Sequence, residues 1–483
     1  PEAIIFADVS NYEEAVRAVE MGADIVGPTL YGYTEATKHI EQPDLREFAR
    51  MCRDFKGKAY VIMEGHIYSP EDAMKCIFLG AHSVVVGSAI TRPHLITKRF
   101  TDLLTGYQNN WREANFNVEG AQNVEISKKI PCEKPLIVQL EIMERYTAVH
   151  KACAALPKEI REVECLKVLY PTLFRKITDQ DLIAGRTDFL PIGFGCVTSL
   201  GGVGHYCVFK KLRAFQQQLD ETERKRVDAL YDYWLDHDLK TQFNKEVLTE
   251  DTLGMFIDCE YPMIATARLS GIMLDYPKLL DKGIGGLRSD LQEKLKEQPD
   301  NNFYKAGIQC LDIFVDCASH LQQDAREQMA SANMKRQKEL EHICQALENI
   351  KEKKPGTFHE AMQLFWLFAL LAGVINYGRL DDYLGPYLVA DLKSGRLTDE
   401  EAYRYIHSLW TMIEDRRTTV NGRIIVGGKG RKHPKEADVF LHIAMKVAKN
   451  CRYVEPQFTL RFDKDTSEEI WDEALDALGA GAT

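Results

Sequence analysis

The sequence predicts an α/β protein in two parts: a parallel sheet built from four βα units, and then a helix-rich region with late strands. Four short apolar runs, AIIFADV, DIVGPTL, KAYVIMEG and SVVVGSA, alternate with amphipathic stretches over the first 108 residues. This alternation is typical of parallel strands joined by covering helices. After residue 135 the amphipathic stretches lengthen, and strand patterns return only in GRIIVGG and PQFTLRF.

The first region is predicted to be half of an eight-stranded barrel, a partial (β/α)8 TIM barrel of four βα units. Alone, four parallel strands leave two edges unpaired, which natural proteins rarely tolerate. We expect the missing half to lie upstream of Pro1 or to come from a partner chain, as in a homo-oligomer. The domains are predicted at residues 1–108 and 136–483, with the polar, weakly periodic segment 109–135 as a linker.

Capping signals mark three predicted helix starts. Ser10, with Glu13 three residues later, has the spacing of a capping box, and the sequence Thr398-Asp-Glu-Glu has the same form. Ser69 before Pro70 combines an N-cap residue with a proline at the first helical position. We expect one helix to begin at each of these signals.

One apolar stretch, from Ala361 to Gly378, is the candidate for a membrane span. Charged residues flank it on both sides, and its length is marginal for crossing a bilayer. We therefore predict a buried core helix that leads into an Asn-Tyr-Gly-Arg turn at 376–379.

Composition favours a cytoplasmic protein that binds neither nucleic acid nor membrane. The chain of 483 residues is 45% hydrophobic and carries a net charge of -11, so it has no overall basic surface. Its twelve cysteines include no Cys-x-x-Cys pair and are predicted to be reduced, mostly buried thiols. We predict no metal site.

Polar residues follow three of the predicted strands in the first region. Asp8 follows the first strand, Glu64 the third, and the turn from Gly87 through Ser88 to Arg92 the fourth. Strand ends carry the chemistry in parallel barrels. A Glu could move a proton on a carbon next to a carbonyl, and a Gly-Ser turn with an Arg could bind phosphate. A single Glu at a strand end is more often a helix cap or a salt-bridge partner, and a short Gly-Ser turn alone is a poor phosphate signal.

The same stretch resembles the C-terminal half of the N-acetylmannosamine-6-phosphate 2-epimerases. The motifs are GPTLYGYT, EGH and GSAITRP, within the first hundred residues. The resemblance implies an isomerase of sialic-acid or amino-sugar catabolism that interconverts N-acetylmannosamine-6-phosphate and N-acetylglucosamine-6-phosphate. It implies catalytic roles for Glu64 and Asp8, with Gly87, Ser88 and Arg92 holding the phosphate.

Two features of the first region depart from that family's pattern. Pro28 stands where the family has a hydroxyl residue, and His66 where it has Arg or Lys. The family's catalytic Lys belongs to an earlier strand, and no residue here matches it. We expect the chain as given to be inactive as an epimerase unless the upstream half is supplied.

From about Pro135 to Thr483 the sequence resembles the first half of the glycyl radical enzymes, the pyruvate formate-lyase family. The matching segments are DQDLIAGR, SGIMLDYPKLLDKGIGGLRSDLQEKL, the stretch from PGTFHEAM to YIHSLW, and YVEPQFTLRFDKD. The resemblance implies a partial, helix-rich α/β barrel, and a lyase or formate acetyltransferase-like enzyme of unknown substrate. Ile272 follows Gly271 where diol-dehydrating members have His, which argues against dehydration.

The family's cofactor is an organic radical stored on a backbone glycine, installed by an iron-sulfur, S-adenosylmethionine-dependent activase. That activase is the implied protein partner. The radical Gly and the Cys that attacks substrate lie downstream of Thr483 in the family's order, so we expect this chain to bind no cofactor. Cys196, Cys207, Cys259 and Cys451 are interpreted as structural thiols.

The pocket candidates in the second region are Arg186, His205, Gln457 and Arg461. His205 lies in the Gly-rich, aromatic segment 193–215, which could line a cleft or form a tight helix-entry loop. Gln457 and Arg461 share one face of a predicted strand. Arg461 could pair with a substrate carboxylate or phosphate, or with an acidic neighbour.

The leading interpretation is a fusion of an epimerase part and a glycyl radical part, in an anaerobic bacterium because oxygen destroys the radical. Two alternatives remain open. The chain could be a catalytically incomplete scaffold or assembly subunit, or an artefactual join of two neighbouring genes.

Overall fold

The computed structural model describes residues 3–31, 34–35, 37–38, 44–91, 134–188, 190–194, 205–246, 249, 273–416, 422–451, 453 and 455–480. The chain divides into two compact units, Pro1–Val124 and Glu125–Thr483. The predicted linker 109–135 lies outside the described residues except at its last two positions, and the predicted domain boundaries stay a prediction.

The first unit is a parallel sheet with strand order β1-β2-β3-β4. Its strands are β1 Phe6–Asp8, β2 Ile25–Gly27, β3 Tyr60–Glu64 and β4 Ser83–Val85. Its helices are α1 Tyr12–Glu20, α2 Leu45–Asp54, α3 Pro70–Phe78 and the short α4 Ser88–Thr91. Each strand lies inside one of the four predicted apolar runs, so these four strand predictions are confirmed.

Helices cover one face of this sheet. Val26, Val61 and Met63 point toward the helices and are buried against residues such as Phe48 and Met51. Side chains alternate between the faces of a strand, so the neighbouring positions belong to the other face. On that face, in the part of the chain that the structure describes, apolar side chains are exposed.

Two of the three capping predictions are confirmed. Ser69 accepts the Asp72 backbone N–H, and Thr398 exchanges bonds with Glu401 in both directions. The prediction for Ser10 is wrong by one residue, because Asn11 is the N-cap of α1 and accepts the N–H of Glu14. Asn is as good a cap as Ser. The Ser10 backbone N–H and hydroxyl instead bond the Glu14 carboxylate.

The second unit is mainly helical around two small sheets. Strands β5 Ile192–Phe194 and β6 His205–Cys207 are antiparallel, and β7 Asn376–Arg379, β8 Arg423–Gly427 and β9 Gln457–Arg461 form a parallel sheet in that order. The helices are α5 Leu136–Ala152, α6 Lys158–Leu173, α7 Phe209–Gln216, α8 Glu221–His237, α9 Leu239–Glu246, α10 Tyr276–Glu297, α11 Asn302–Met329, α12 Met334–Ile350, α13 Phe358–Leu371, α14 Leu380–Lys393, α15 Asp399–Arg416, α16 Pro434–Cys451 and α17 Glu468–Gly479. The late strands predicted at GRIIVGG and PQFTLRF are confirmed as β8 and β9.

The apolar stretch 361–378 is a buried core helix at its start, as predicted. Helix α13 contributes Trp366 and eight other buried apolar side chains to the core. Among the described helices, none has the length and apolar character needed to cross a membrane. The turn predicted at 376–379 is wrong, because these residues form β7 and pair with β8. An irregularity at Gly378, with φ of 61°, lets a turn-like sequence join the ladder.

Gly185→Ala should cost far more stability than Gly395→Ala. Gly185 has φ of +130°, and a Cβ there would lie 2.9 Å from Trp366 Nε1, whereas Gly395 has φ of +70° and open space around it. We expect a loss of about 3 kcal/mol at Gly185, from strain and overpacking together, and about 1 kcal/mol at Gly395 from strain alone. Urea unfolding followed by tryptophan fluorescence measures both, and equal losses would contradict the contact with Trp366.

Candidate functional sites

The first unit places Asp8, Glu64 and Gly87 at one edge of its sheet. Asp8 and Glu64 are the last residues of β1 and β3, and Gly87 follows β4. All pairs of neighbouring strands are parallel, so the carboxyl ends of the four strands lie along the same side of the sheet. The register aligns Asp8 with Gly27 and Glu64 with Val85, which puts both carboxylates on the face that the helices leave open.

Thr29 fixes the carboxylate of Asp8. The Thr29 hydroxyl donates to Asp8 Oδ1 at 2.7 Å, and Asp8 is otherwise exposed at the strand end. Sequence reasoning missed Thr29. It directly follows Pro28, which stands where the epimerase family has a hydroxyl residue. The next residue along the chain thus supplies a hydroxyl at the same edge.

The EGH segment turns sharply after β3. Gly65 has φ of 92° and His66 has φ of 55°, which is an uncommon backbone conformation for a residue with a side chain. The His66 ring bonds the Tyr31 carbonyl oxygen through Nε2 at 3.0 Å. This bond ties the loop after β3 to the loop after β2, beside Glu64.

The turn after β4 leads directly into α4. The Gly87 carbonyl oxygen accepts the backbone N–H of Ile90 and of Thr91 and the hydroxyl of Thr91, and Gly87 itself has open space around it. Ser88 begins α4. Arg92 lies outside the described residues, so its predicted phosphate contact stays a prediction.

In the second unit, His205 lies in a buried polar cluster. Its Nδ1 shares a 2.5 Å hydrogen bond with the Tyr146 hydroxyl, and its Nε2 bonds Glu162 at 2.8 Å. The ring of His150 lies 4.3 Å away, and burial lowers the pKa of His150 to about 3. Glu162 and Tyr146 are more than forty residues away in sequence, so no local pattern could have identified them.

Arg186 has acidic partners on both sides. Its Nε and Nη2 donate to Asp181 at 2.9 and 2.7 Å, and its Nη1 lies 3.0 Å from Asp415. Burial opposes the charge on Arg186, but the hydrogen bonds and charges of Asp181 and Asp415 prevail and raise its pKa. The positive charge of its guanidinium is therefore balanced by the two carboxylates inside the unit.

Gln457 and Arg461 begin and end β9. Arg461 is exposed at the carboxyl edge of β9, beside the end of β8, where a cavity of about 350 Å³ is lined by residues including Lys429, Arg431 and Ser467. His205 and Arg186 have their own partners elsewhere in the unit. The structure therefore brings Gln457 and Arg461 into one strand, and gives no bond that joins the four pocket candidates together.

Asp381 holds the glycine-rich loop that follows β8. Its Oδ2 accepts the Gly427 N–H at 2.8 Å, and Arg379 at the end of β7 donates to the Gly427 carbonyl oxygen at 2.6 Å. Asp381 is fully buried, and burial raises its pKa to about 6 against the opposing effect of Gly427, Arg379 and Arg431. Sequence reasoning missed Asp381, since its partner is 46 residues away.

Of the four cysteines interpreted as structural, two are among the described residues. Cys207 is buried, and desolvation raises its thiol pKa far above the usual range. Burial raises the pKa of the half-buried Cys451 to about 11. Both thiols are protonated at neutral pH. Cys196 and Cys259 lie outside the described residues.

The second unit has the helix-rich α/β fold of the glycyl radical enzymes. It is similar to a glycyl radical enzyme from Archaeoglobus fulgidus, with a TM-score of 0.59 and 20% identity over 72% of this chain and 51% of that one. It is also similar to the B12-independent glycerol dehydratase from Clostridium butyricum, with a TM-score of 0.56 and 17% identity over 73% of this chain and 50% of that one. Residues 113–483 match the family model described as "Pyruvate formate lyase-like", and the chain belongs to that family.

The first unit matches a different family. Residues 2–105 fit the model "Putative N-acetylmannosamine-6-phosphate epimerase". A protein from Caldanaerobacter subterraneus named as a putative N-acetylmannosamine-6-phosphate 2-epimerase is 44% identical over 104 residues. These residues are 22% of this chain and 43% of that protein. The one from Clostridioides difficile is 50% identical over 97 residues, 20% of this chain and 43% of the relative. The chain thus fuses an epimerase-like region to a glycyl radical enzyme region, and spans about half the length, or slightly less, of the relatives it matches.

Asp381→Asn should change how stability depends on pH. The folded pKa of about 6 exceeds the ordinary value of 3.8, so the contribution of Asp381 is full below pH 3.8 and is lost as pH rises through 6. A shift of about two pH units corresponds to about 3 kcal/mol. Asn keeps an acceptor for Gly427 and does not titrate, so the stability of the variant relative to the parent should rise by about 3 kcal/mol between pH 3.5 and pH 7.

Urea unfolding at several pH values across this range gives that difference. The exposed residue Asp472 on α17 supplies the matched control, Asp472→Asn. A parent-minus-variant difference that does not change with pH would show that Asp381 is not the titrating group.

Proposed function

We propose that the first unit binds N-acetylmannosamine-6-phosphate or its epimer N-acetylglucosamine-6-phosphate at the carboxyl edge of its sheet. The observation that carries this proposal is that Asp8 and Glu64 lie at the same end of the sheet and on its open face, and that Thr29 holds Asp8 by a hydrogen bond. Relatives at 44% and 50% identity bear the name of this epimerase. We propose that the four βα units are half of a TIM barrel.

The residues at this edge suit distinct tasks. Asp8 is oriented by Thr29 and can accept a hydrogen bond from a sugar hydroxyl. Glu64 is half-buried at the strand end, where a carboxylate can accept a proton from carbon next to a carbonyl. Backbone N–H groups after Gly87, with Arg92, suit a phosphate. No residue of this chain matches the catalytic Lys that the resemblance implies, so we propose binding without turnover.

For the second unit we propose a role in a radical lyase or acyltransferase reaction whose substrate is a small molecule. Membership in the pyruvate formate lyase-like family supports this proposal. The family's reaction would depend on a glycyl radical and its activase, and in an anaerobic bacterium with an amino-sugar pathway the two units could serve one route. None of the cysteines of this chain stands in the sequence context of the family's attacking cysteine, so we assign no radical step to Cys207 or Cys451.

Isothermal titration of the full chain with N-acetylmannosamine-6-phosphate tests the binding proposal. Asp8→Asn should weaken binding about tenfold, because a charged hydrogen bond to the sugar is lost. Glu13→Gln, an exposed carboxylate on α1, is the matched control and should leave the affinity unchanged. Absence of binding by the parent chain would refute the site.

Exchange of the C2 proton of the sugar phosphate in D2O, followed by NMR, tests the second part of the proposal. We expect no exchange above the rate without protein, since the edge supplies Glu64 but no matching Lys. Exchange that disappears in Glu64→Gln would show instead that these residues alone perform the chemistry. Exchange that persists in that variant would have another origin.

A further inference from the structure

Three metal-ligating side chains meet where α16 and α17 pack together in the second unit. His442 lies in the middle of α16, and Glu469 and Glu473 lie on α17. Each offers one ligand atom, an imidazole nitrogen or a carboxylate oxygen, and these three atoms all lie within 4.8 Å of one another. In the part of the chain that the structure describes, no other group of three His, Cys, Asp or Glu side chains converges in this way.

The geometry of α17 brings the two carboxylates to one place. Residues four apart share one face of a helix, so Glu469 and Glu473 lie one turn apart on the same face. The neighbouring stripe of α17, which includes Ile470 and Ala477, is buried. This packing holds both carboxylates at the rim of the helix interface beside His442, whose Nδ1 lies 2.8 Å from Glu473 Oε2.

The two carboxylates have no counter-charge from a lysine or arginine of the described residues. The only ion pair there that involves Glu469 or Glu473 is the contact of Glu473 with His442. The lysines on this stretch of α16 have other contacts, since Lys449 pairs with Asp476 and Lys446 lies over an aromatic ring. Two carboxylates held this close repel each other, and a divalent cation would balance both of their charges.

Another histidine and glutamate pair in the same unit shows the arrangement that needs no ion. His205 bonds Glu162 at 2.8 Å, and its other ring nitrogen bonds the Tyr146 hydroxyl. Arg161 lies 3.2 Å from Glu162 and balances its charge. At His442 the third group is a second carboxylate instead of a cation, so the donors there resemble a ligand set and not a completed ion pair.

We propose that His442, Glu469 and Glu473 bind a divalent transition-metal ion, for which Zn²⁺ suits the donors best. One imidazole nitrogen and two carboxylate oxygens fit Zn²⁺, whereas Ca²⁺ and Mg²⁺ prefer oxygen ligands alone. The ion would fasten α17 to α16 and keep a coordination position for water. The sequence predicts no metal site, because His442 and Glu473 are 31 residues apart and form no local motif. This proposal is independent of the substrate of either unit.

Titration with Zn²⁺ of the full chain, stripped of metal by a chelator beforehand, gives the first test. Glu469→Gln removes one ligand at an exposed position and so leaves the fold intact. It should weaken Zn²⁺ binding at least about tenfold, since even a group that only orients a ligand is worth that much. Glu468→Gln, one residue earlier on another face of α17, is the matched control and should leave the affinity unchanged.

Absence of Zn²⁺ binding by the parent chain would overturn the proposal. Equal affinity in the parent and in Glu469→Gln would overturn it too, because the ion would then lie elsewhere. Displacement of Zn²⁺ by millimolar Mg²⁺ would indicate a site made of oxygen ligands and would contradict the role of His442.

Co²⁺ as a probe separates this site from the twelve cysteines of the chain. Co²⁺ bound to a thiolate has a strong charge-transfer band in the near ultraviolet, which nitrogen and oxygen ligands do not produce. The Co²⁺ spectrum of the parent minus that of Glu469→Gln should therefore lack this band, and His442→Gln should lose the same signal. A sulfur band in the difference spectrum, or a signal that persists in His442→Gln, would overturn the proposed ligand set.

Discussion

The second unit depends on buried hydrogen bonds between side chains of its most apolar helix, α13, and the backbone of the segment 181–186. Gln363 on α13 accepts the N–H of Ala184 at 2.7 Å and donates to its carbonyl oxygen at 2.9 Å, and Trp366 donates to the Gly185 carbonyl oxygen. Buried backbone groups need partners. Side chains from α13 therefore do for the segment 181–186 what a neighbouring strand would do, and they fix it against the core.

This anchoring decides what Arg186 can do. The guanidinium is held between Asp181 and Asp415, and Arg336 bonds the Asp181 carbonyl oxygen at 2.8 Å. Removing one partner from such a buried pair leaves an uncompensated charge, so an anionic substrate would have to displace a carboxylate to reach Arg186. Arg461 is exposed beside a cavity, and no carboxylate of the described residues forms an ion pair with it. Of the two arginines, Arg461 is the better candidate for binding an anion.

Much of the fold follows from local sequence signals. The apolar runs predict four parallel strands, and Ser69 and Thr398 predict helix starts, because these signals act over a few residues. The shift from Ser10 to Asn11 shows the limit of such rules where two good caps are adjacent. At 376–379 the turn-like sequence was overridden by pairing with β8, a contact between distant segments.

The candidate sites divide in the same way. Asp8 and Glu64 could be predicted because a strand end is visible in the sequence. Thr29, Tyr146, Glu162 and Asp381 could not, since each acts on a partner brought near only by the fold. For the first unit, the enzyme hypothesis and the assembly hypothesis both require that the open face be covered. A carboxylate on an open sheet face acts in bulk water, where its interactions are screened. A cover over that face would lower the dielectric around Asp8 and Glu64 and strengthen their hydrogen bonds to a bound sugar phosphate, which makes covering the face a condition for tight binding at this site.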